Sequence, residues 1–382
     1  AYALRLLVCA LLSHVPYALC FGYGFFESTS VLWSLLLGLV VLAIINAEHA
    51  FGDGLLVILK SGFKSPRNMG TVLANAAPLI MTGLSVGFAF KTGLFNIGAA
   101  GQYTLGAFGA LYCAIVLQWP WYLCLLAAML FGAIWGALPG IFKAYLNINE
   151  VITAIMFNWI GLYMVNDIMY GKGKSPMYDL ASTKTYSLRK AAPQAMIPSF
   201  GMSELFGKLQ SVTIAIFIAI FFAIVVYIIL NKTAFGYELR ACGFNKNAAR
   251  YAGINEKRNI ILAMMISGAL AGVGAGLYYL ATVAEWNPQV STALPAMGFN
   301  GISTALLACS NPIGTIFSSL FISYITVGGT KLSTQYYTKE IADVITALII
   351  YLCAFSLLFK NKIRALLVGK AKRVSVGKGG DD

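Results

Sequence analysis

The sequence predicts an all-α, polytopic integral membrane protein with about ten transmembrane helices. Apolar residues make up 59% of its 382 positions, and charged residues only 11%, against about 25% in an average soluble domain. The apolar residues also collect in runs long enough to cross a bilayer, which takes about 20 residues of helix. So few charges cannot cover a soluble protein of this size, which excludes an ordinary cytosolic enzyme, a nucleic-acid-binding domain and a disordered regulator. The net charge of +13 therefore bears on membrane orientation, not on DNA binding.

The predicted helices form a transmembrane domain over residues 29–359. The crossings are 30–46, 69–90, 100–117, 120–142, 150–168, 210–230, 259–283, 298–309, 313–329 and 341–359. The eighth of them, 298–309, is short and could be a half-helix or a re-entrant element. Residues 1–28 form a further apolar segment, interrupted by His14 and Pro16. Whether this segment spans the membrane, lies in the interface or is a leader stays open.

Basic residues indicate the orientation of the chain. Six lie in residues 231–258, and seven lie in the tail, residues 360–382. The positive-inside rule assigns both segments to the cytoplasm, and an even number of crossings between them agrees. The 169–209 loop, which parity places outside, also carries six basic residues, so the charge bias is incomplete. We expect an external 169–209 loop, a cytoplasmic 231–258 segment and a cytoplasmic C-terminal tail.

Glycines repeat every four residues in two of the predicted helices. The two stripes are Gly132, Gly136 and Gly140, and Gly268, Gly272 and Gly276. Such a stripe makes one helix face smooth and lets another backbone approach closely. We expect these faces to pack against other helices, with a hinge as the alternative.

The chain has no evident energy source of its own. Ion-coupled carriers place acidic groups at mid-membrane depth, but the carboxylates here avoid the middle of the apolar runs. Glu150, Asp167, Glu340 and Asp343 lie near span ends, and Glu285 lies in a loop. This distribution weakens the interpretation as an ion-coupled carrier.

The sequence also lacks a nucleotide site. The triplet Gly173-Lys174-Ser175 would need a glycine at position 168 to complete a phosphate loop, and Ile168 is there. No catalytic triad and no metal cluster stands out, so we predict no catalytic and no metal-binding residues. If ATP drives this protein, the ATPase is a separate chain.

The 231–258 segment fits such a partner. We predict two short helical pieces, 236–242 and 246–252, separated by Gly243. Short helices that mix apolar and basic residues can dock in a groove of another protein. A plain solvated connection is the alternative.

Four motifs in the chain carry a resemblance to a known family. The sequence GLFNIGAAGQ at 93–102 closely resembles the G-L-F-N-I-G-A-E-G-Q motif of bacterial ABC-importer permeases in the branched-chain amino acid, ribose and nucleoside permease superfamily. Ala100 departs from the motif, since the family usually has Glu there. The other matches are 149–158, then 235–243 with 248–249 and 251–254, and finally 298–307 followed by 311–314. The resemblance is best to nucleoside and simple-sugar permeases that work with a basic-membrane-protein-type binding lipoprotein.

The resemblance implies that the 231–258 segment couples the permease to a separate ATP-binding subunit. The coupling positions carried over are Glu238, Leu239, Arg240, Ala241, Gly243, Ala248, Ala249 and Gly253. Gly243 would permit a turn, and Glu238 and Arg240 would make charge-assisted contacts with the ATPase. Closure of the ATPase would move this segment and rock the attached helices.

The resemblance also implies a substrate path. Its candidate residues are Phe95, Asn96, Gln102, Asn158, Phe299 and Asn300. A purine nucleoside needs an aromatic face for stacking and amides for its base edge and ribose hydroxyls. The amides can instead bond neighbouring helices while the Phe rings merely pack, and both interpretations stay open.

The expected function is the membrane-spanning permease subunit of an ABC importer, which moves nucleosides by alternating access across the bacterial plasma (inner) membrane. The chain would be no enzyme and hold no cofactor, because ATP and Mg²⁺ would bind the partner ATPase. The expected partners are that ATPase, a second and paralogous permease subunit, a substrate-binding lipoprotein and the lipid bilayer, with no nucleic acid. This chain resembles the longer of two paralogues, whose 169–209 loop would touch the lipoprotein.

Two other functions remain open at this point. The same machinery could import riboflavin or a simple sugar, because the binding lipoprotein does much of the selection. In a different class, the chain could be a stand-alone ion-coupled carrier or a membrane scaffold.

Overall fold

The computed structural model describes residues 39–331, apart from positions 41, 45, 172–174 and 289–292, together with the single residue 344. By contacts the chain divides into two units, Ala1–Leu59 with Gly328–Asp382, and Lys60–Val327. The second unit contains every candidate functional residue named above. Several predictions lie wholly or largely outside the described residues: the 1–28 segment, the spans 30–46 and 341–359, and the tail 360–382.

The described residues are mostly helical. The α-helices are α1 (Val57–Lys64), α2 (Pro66–Lys91), α3 (Ala99–Ile115), α4 (Trp121–Leu146), α5 (Glu150–Tyr163), α6 (Leu188–Ala191), α7 (Met202–Leu205), α8 (Ala215–Lys232), α9 (Ala234–Phe244), α10 (Lys246–Tyr251), α11 (Glu256–Leu280), α12 (Ala296–Leu307) and α13 (Pro312–Gly329). π-Helical segments cover Ala50–Leu56 and Met164–Met169, and a 3₁₀ turn covers Pro193–Ala195. Two short antiparallel strands, β1 (Tyr178–Asp179) and β2 (Lys184–Thr185), lie in the 169–209 loop. The prediction of an all-α protein therefore holds except for this hairpin.

Capping residues account for the helix boundaries. Ser65 begins α2, because its hydroxyl accepts a hydrogen bond from the Asn68 N–H at 3.2 Å and Pro66 suits the first turn. Asn255 begins α11 in the same way, accepting from the Arg258 N–H at 3.1 Å. Asn147 ends α4 in the left-handed conformation, with φ of 52°.

Five described helices are long and apolar enough to cross a membrane: α2, α4, α8, α11 and α13. They correspond to the predicted spans 69–90, 120–142, 210–230, 259–283 and 313–329. The predicted shortness of the 298–309 segment is confirmed, since α12 has 12 residues, about 18 Å of helix. The total of about ten crossings stays a prediction.

The two glycine stripes pack against each other and join α4 to α11. A Cβ added to Gly132 would meet the carbonyl oxygen of Gly268, and one on Gly136 would lie 3.0 Å from the Gly268 Cα. Helix α3 enters the same contact, because Gly106 lies directly against the Gly272 backbone. The predicted packing role of the stripes is confirmed, and it brings three helix backbones together.

The chain is not helical between α2 and α3. Residues 94–98 run through the interior, where Leu94, Asn96 and Gly98 are buried. The half-length helix α12 packs beside this break, with Gly298 against Ala100 and Gly301 against Thr82. Buried non-helical backbone needs hydrogen-bond partners inside the protein, and Asn158 on α5 provides one by donating to the Ile97 carbonyl.

Candidate functional site

Two predicted path residues, Asn96 and Gln102, form a buried network at the break between α2 and α3. The Asn96 Nδ2 donates to the Gln102 Oε1 at 2.7 Å, and the Gln102 Nε2 donates to the Asn96 Oδ1 at 3.1 Å. Asn96 Nδ2 also donates to the Ser267 Oγ on α11 at 2.6 Å. The Ser267 hydroxyl donates in turn to the carbonyl oxygen of Ser85 on α2, at 2.7 Å. We call Asn96, Gln102, Ser267 and Ser85, together with Asn158, the amide network.

Asn158 fixes α5 to the first turn of α3. Its Oδ1 accepts from the Gly101 N–H at 2.7 Å, and its Nδ2 donates to the Ile97 carbonyl at 3.0 Å. The residue is 1% exposed. Both ends of this amide therefore satisfy backbone groups that the helix break would otherwise leave unpaired.

The structure does not bring the aromatic path candidates into this network. The Phe95 ring stacks on Phe90, with centroids 5.1 Å apart. Phe299 lies on α12 and is 39% exposed, and the neighbouring Asn300 is half-buried. Ala100 is fully buried beneath Gly298, so the α12 backbone lies where a longer side chain would extend.

The 231–258 segment folds as two short helices, but the break is not at Gly243. Gly243 lies inside α9, and Asn245 separates α9 from α10 in an extended conformation with φ of −156°. The prediction that Gly243 forms the turn is therefore wrong. Asn245 also caps α10, because its Oδ1 accepts from the N–H groups of Asn247 and Ala248 at 3.0 and 3.1 Å. That capping explains why the chain turns there.

Gly243 instead makes a close backbone contact with the end of α2. A Cβ on Gly243 would lie 2.5 Å from the carbonyl carbon of Thr92, and one on Gly93 would meet the Gly243 Cα. Gly93 also has a positive φ of 73°, which glycine adopts without strain. Two glycines thus hold the 231–258 segment against the chain that leads into Asn96.

The coupling positions that the family resemblance implies differ in how deeply they are buried. Leu239 and Ala249 are buried, at 1% and 4% exposure. Glu238 is half-buried and accepts a hydrogen bond from the Asn259 side chain on α11 at 3.4 Å. Arg240 and Ala241 are half-buried, whereas Gly243, Ala248 and Gly253 are exposed. The buried members and the Gly243 backbone anchor the segment to the helices, and Ala248 and Gly253 lie on its exposed surface.

Similarities to known proteins identify the family. Residues 68–354 match the family described as branched-chain amino acid transport system / permease component. The chain belongs to this permease family. It is 32% identical to the nucleoside ABC transporter permease protein NupB of Lactococcus lactis, over 92% of this chain and 96% of that protein. It is 31% identical to the guanosine ABC transporter permease protein NupP of Bacillus subtilis, over 89% of this chain and 95% of that protein.

A third relative is the glucose ABC transporter permease protein TsgB13 of Haloferax volcanii, 28% identical over 87% of each chain. No solved structure matches the chain. The family match and the apolar helices together show that this chain is a multi-pass membrane protein and a permease component of an ABC transport system. Its relatives are permease subunits, which are not enzymes themselves.

Sequence reasoning did not single out three exposed aromatic residues of the 231–258 segment. Phe244, Tyr251 and Tyr237 in the 231–258 segment are 90%, 93% and 65% exposed. Lys246 and Arg250 lie exposed beside them. Aromatic residues in an otherwise polar and basic connection were the signal that could have found them.

Charged side chains make further contacts at the helix ends beside the 231–258 segment. The Lys143 ammonium and the Glu150 carboxylate form an ion pair at 2.7 Å, which joins the end of α4 to the start of α5. Lys257 lies over the Tyr145 ring, 4.9 Å from its centroid.

Burial raises the pKa of the Cys242 thiol, and a hydrogen bond from Asn259 offsets part of that rise. This thiol therefore stays protonated at neutral pH.

Proposed function

We propose that the permease is one of two membrane subunits that form the path of an ABC importer for purine nucleosides. The contact of Gly243 with Thr92 and Gly93 carries the proposal, because it links the 231–258 segment to the chain that enters the amide network. The names of the relatives NupB and NupP support a nucleoside as the solute. The 231–258 segment and the C-terminal tail would face the cytoplasm of a bacterial cell, and the 169–209 loop its outer side.

A separate ATPase subunit would bind ATP and Mg²⁺ and dock on the 231–258 segment. Its closure would push α9, and the push would reach residues 92–98 directly, since no side chain lies between the two glycine backbones. Rigid packing transmits small shifts without absorbing them. The segment between α2 and α3 would then open and close the path.

Phe244 and Tyr251 would anchor the ATPase. Aromatic residues that fill a partner's pocket dominate many interfaces, at about 2 kcal/mol or more each. Exposed Lys246 and Arg250 beside them favour a groove with acidic groups at its rim. The half-buried Glu238, which the sequence assigned to the interface, would instead hold α9 on α11 through Asn259.

The further partners follow from the family resemblance. A second, paralogous permease would complete the path as a heterodimer, and a lipoprotein would deliver solute to the 169–209 loop. The candidate path residues Phe95, Asn96, Gln102, Asn158, Phe299 and Asn300 stay a prediction within this proposal. The amide network supports a structural role for its members beside any contact with solute.

Reconstitution tests the proposal. The complete transporter, purified with its ATPase and lipoprotein, is placed in proteoliposomes, and ATP-dependent uptake of radiolabelled guanosine is measured. We expect uptake only with ATP and the ATPase subunit. Uptake by this chain without any ATPase would support an ion-coupled carrier and overturn the coupling. ATP hydrolysis stimulated by another solute, with no nucleoside import, would overturn the substrate.

Variants separate docking from coupling. Gly243→Ala inserts a methyl group between the two backbones, so we expect at least a tenfold loss of uptake while the ATPase still co-purifies. Phe244→Ala with Tyr251→Ala should lose the ATPase itself. Gly52→Ala is the matched control, because open space surrounds Gly52. Normal uptake by Gly243→Ala and by the Phe244→Ala, Tyr251→Ala double variant would contradict the proposed docking of the ATPase on the 231–258 segment.

A sugar is the second candidate solute. The observation that favours it is the match to the Haloferax volcanii glucose permease over 87% of each chain. Stimulation of the ATPase by guanosine, glucose and riboflavin, each with the lipoprotein present, separates the nucleoside from the sugar and the flavin. We expect guanosine to give the largest stimulation.

A further inference from the structure

Trp286 joins three parts of the permease beside the 169–209 loop. The residue follows α11 in the chain and is 4% exposed. Its indole Nε1 donates to the Asn166 Oδ1 at 3.2 Å, and its backbone N–H donates to the Thr185 Oγ1 at 3.2 Å. The Thr185 N–H donates back to the Trp286 carbonyl at 2.9 Å. The Trp286 ring also packs edge-on against Tyr279 of α11, with centroids 5.9 Å apart. One buried residue therefore connects the loop, the end of α11 and the segment that follows α5.

Asn166 extends this connection to α5. It lies in the π-helical segment Met164–Met169, which continues α5 without a break. π-Helical turns at the end of or within longer helices are frequent at functional sites. Earlier on the same helical stretch, Asn158 accepts a hydrogen bond from the first turn of α3. The bond from Trp286 to Asn166 therefore leads to the amide network along one continuous helical stretch.

Thr185 links Trp286 to the surface of the 169–209 loop. It pairs with Tyr178 in the β1–β2 hairpin and is 1% exposed. The side chains of Lys184 and Tyr186, on either side of it, are exposed. A protein that docks on these exposed side chains therefore binds next to the residue that holds Trp286.

The turn between α11 and Trp286 is strained and has space beside it. Thr282 has a positive φ of 54°, which is rare for a β-branched residue and costs about 1–3 kcal/mol. Such strain persists where surrounding contacts hold it, and the exposed Arg189 of the loop donates to the Thr282 Oγ1 at 3.3 Å. A cavity of about 410 Å³ is lined by residues 184–189 of the loop and 282–285 of the turn. The loop therefore has room to move and a contact through which its movement reaches the turn.

We propose that Trp286 is a positioning residue that couples docking of the lipoprotein on the 169–209 loop to α5 and the amide network. The proposal rests on the proposed function and concerns the opposite end of α11 from the Gly243 contact. When the loop moves, Thr185 shifts the Trp286 backbone, and the indole N–H carries that shift to Asn166. Closely packed buried groups transmit such shifts instead of absorbing them. The lipoprotein thus acts on the break between α2 and α3 from one side, and the ATPase acts on it from the other.

Stimulation of ATP hydrolysis by the lipoprotein tests this coupling. The complete transporter is placed in nanodiscs, and its ATPase activity is titrated with guanosine-loaded lipoprotein. Trp286→Phe keeps an aromatic ring and removes the bond to Asn166, so we expect the maximal stimulation over basal activity to fall about three- to tenfold, the effect of one hydrogen bond. The lipoprotein concentration at half-maximal stimulation should stay the same, because the exposed surface of the loop is unchanged. Trp119→Phe, at a tryptophan that is 41% exposed, is the matched control.

Thr185→Val gives a second test of the same connection. The change removes the hydroxyl that accepts from the Trp286 N–H, and valine suits a strand. We expect a similar loss of maximal stimulation. The variant with both changes should lose no more than the more impaired single variant, because the two bonds are successive links of one connection. A merely structural role of Trp286 predicts a lower melting temperature with an unchanged ratio of stimulated to basal activity.

The outcomes separate this proposal from the proposed function. Guanosine import by the wild-type complex, together with normal maximal stimulation in both single variants, would overturn the role of Trp286 and leave the importer intact. Losses that multiply in the double variant would overturn it as well, because the two bonds would then act separately. Absence of guanosine import and of lipoprotein stimulation in the wild type would overturn both proposals. Thr185→Val keeps the test decisive if Trp286→Phe misfolds.

Discussion

Two buried polar regions of the permease differ in how completely their groups are paired. In the amide network, Asn96, Gln102 and Asn158 each bond with partners inside the protein, and Ser267 joins the network to Ser85. The second region is a set of buried tyrosines, in which the hydroxyls of Tyr103, Tyr170 and Tyr178 lack a partner among the described residues. Both regions lie within the same helical unit.

This difference in pairing indicates which buried polar groups have a structural role. A fully paired network holds its members in one arrangement and is costly to break, which suits the place where α2 stops and α3 begins. An unpaired group gains when a ligand supplies its partner. Residues that resemble a substrate path by type can therefore be structural.

The largest expected effect is that of Asn96→Ala. The change leaves Gln102 without its partner and deprives Ser267 of a donor, at a cost of about 3 kcal/mol or more. We expect the amount of folded protein in the membrane to fall severalfold, as measured by fluorescence-detected size-exclusion chromatography. Gln210→Ala, at an exposed amide, is the control. A normal level of folded protein with lost uptake would instead favour a direct role in transport.

Asn158→Ala should lower the amount of folded protein somewhat less than Asn96→Ala does. It leaves the Gly101 N–H and the Ile97 carbonyl unpaired, at about 2 kcal/mol, but the Asn96–Gln102 pair survives. Uptake and membrane abundance should decline in the same proportion. If uptake falls much further than abundance, Asn158 belongs to the solute path and the comparison between the two regions fails.

Ser267→Ala should cost about 1 kcal/mol. Asn96 then keeps Gln102 and loses only its bond to α11. The expected readout is a lower melting temperature of the purified protein with unchanged guanosine binding. Ser203→Ala, in the 169–209 loop, serves as the control, and a melting temperature equal to wild type would show that this bond to α11 contributes nothing.

The smallest expected effect is on stability and is neutral or stabilising, whereas the preceding variants are destabilising. Tyr170→Phe removes a buried hydroxyl that has no partner among the described residues, so stability should stay the same or rise by up to about 1 kcal/mol. The melting temperature without solute measures this, with Tyr122→Phe, 52% exposed, for comparison. A clear loss of stability would mean that the hydroxyl is bonded, which would remove the contrast with the amide network.

Much of the fold could be predicted because helix patterns are local. The stripe at Gly132, Gly136 and Gly140 predicted close packing, and five of the predicted spans correspond to long apolar helices. The 231–258 segment was predicted as two short helices, but its break was assigned to Gly243. A glycine suits a turn and a close contact equally well, and only the neighbouring Thr92 and Gly93 show which of the two applies.

The sequence by itself determined the membrane class, the order of the apolar helices and, through four ordered motifs, the family. Only the tertiary structure decided that Asn96 bonds Ser267, 171 residues away, and that the hydroxyls of three buried tyrosines lack a partner among the described residues. The physical reason is that hydrophobic periodicity records which face of a helix is buried. The side chains that meet across helices depend on the depth and rotation at which those helices pack, and no local pattern encodes them.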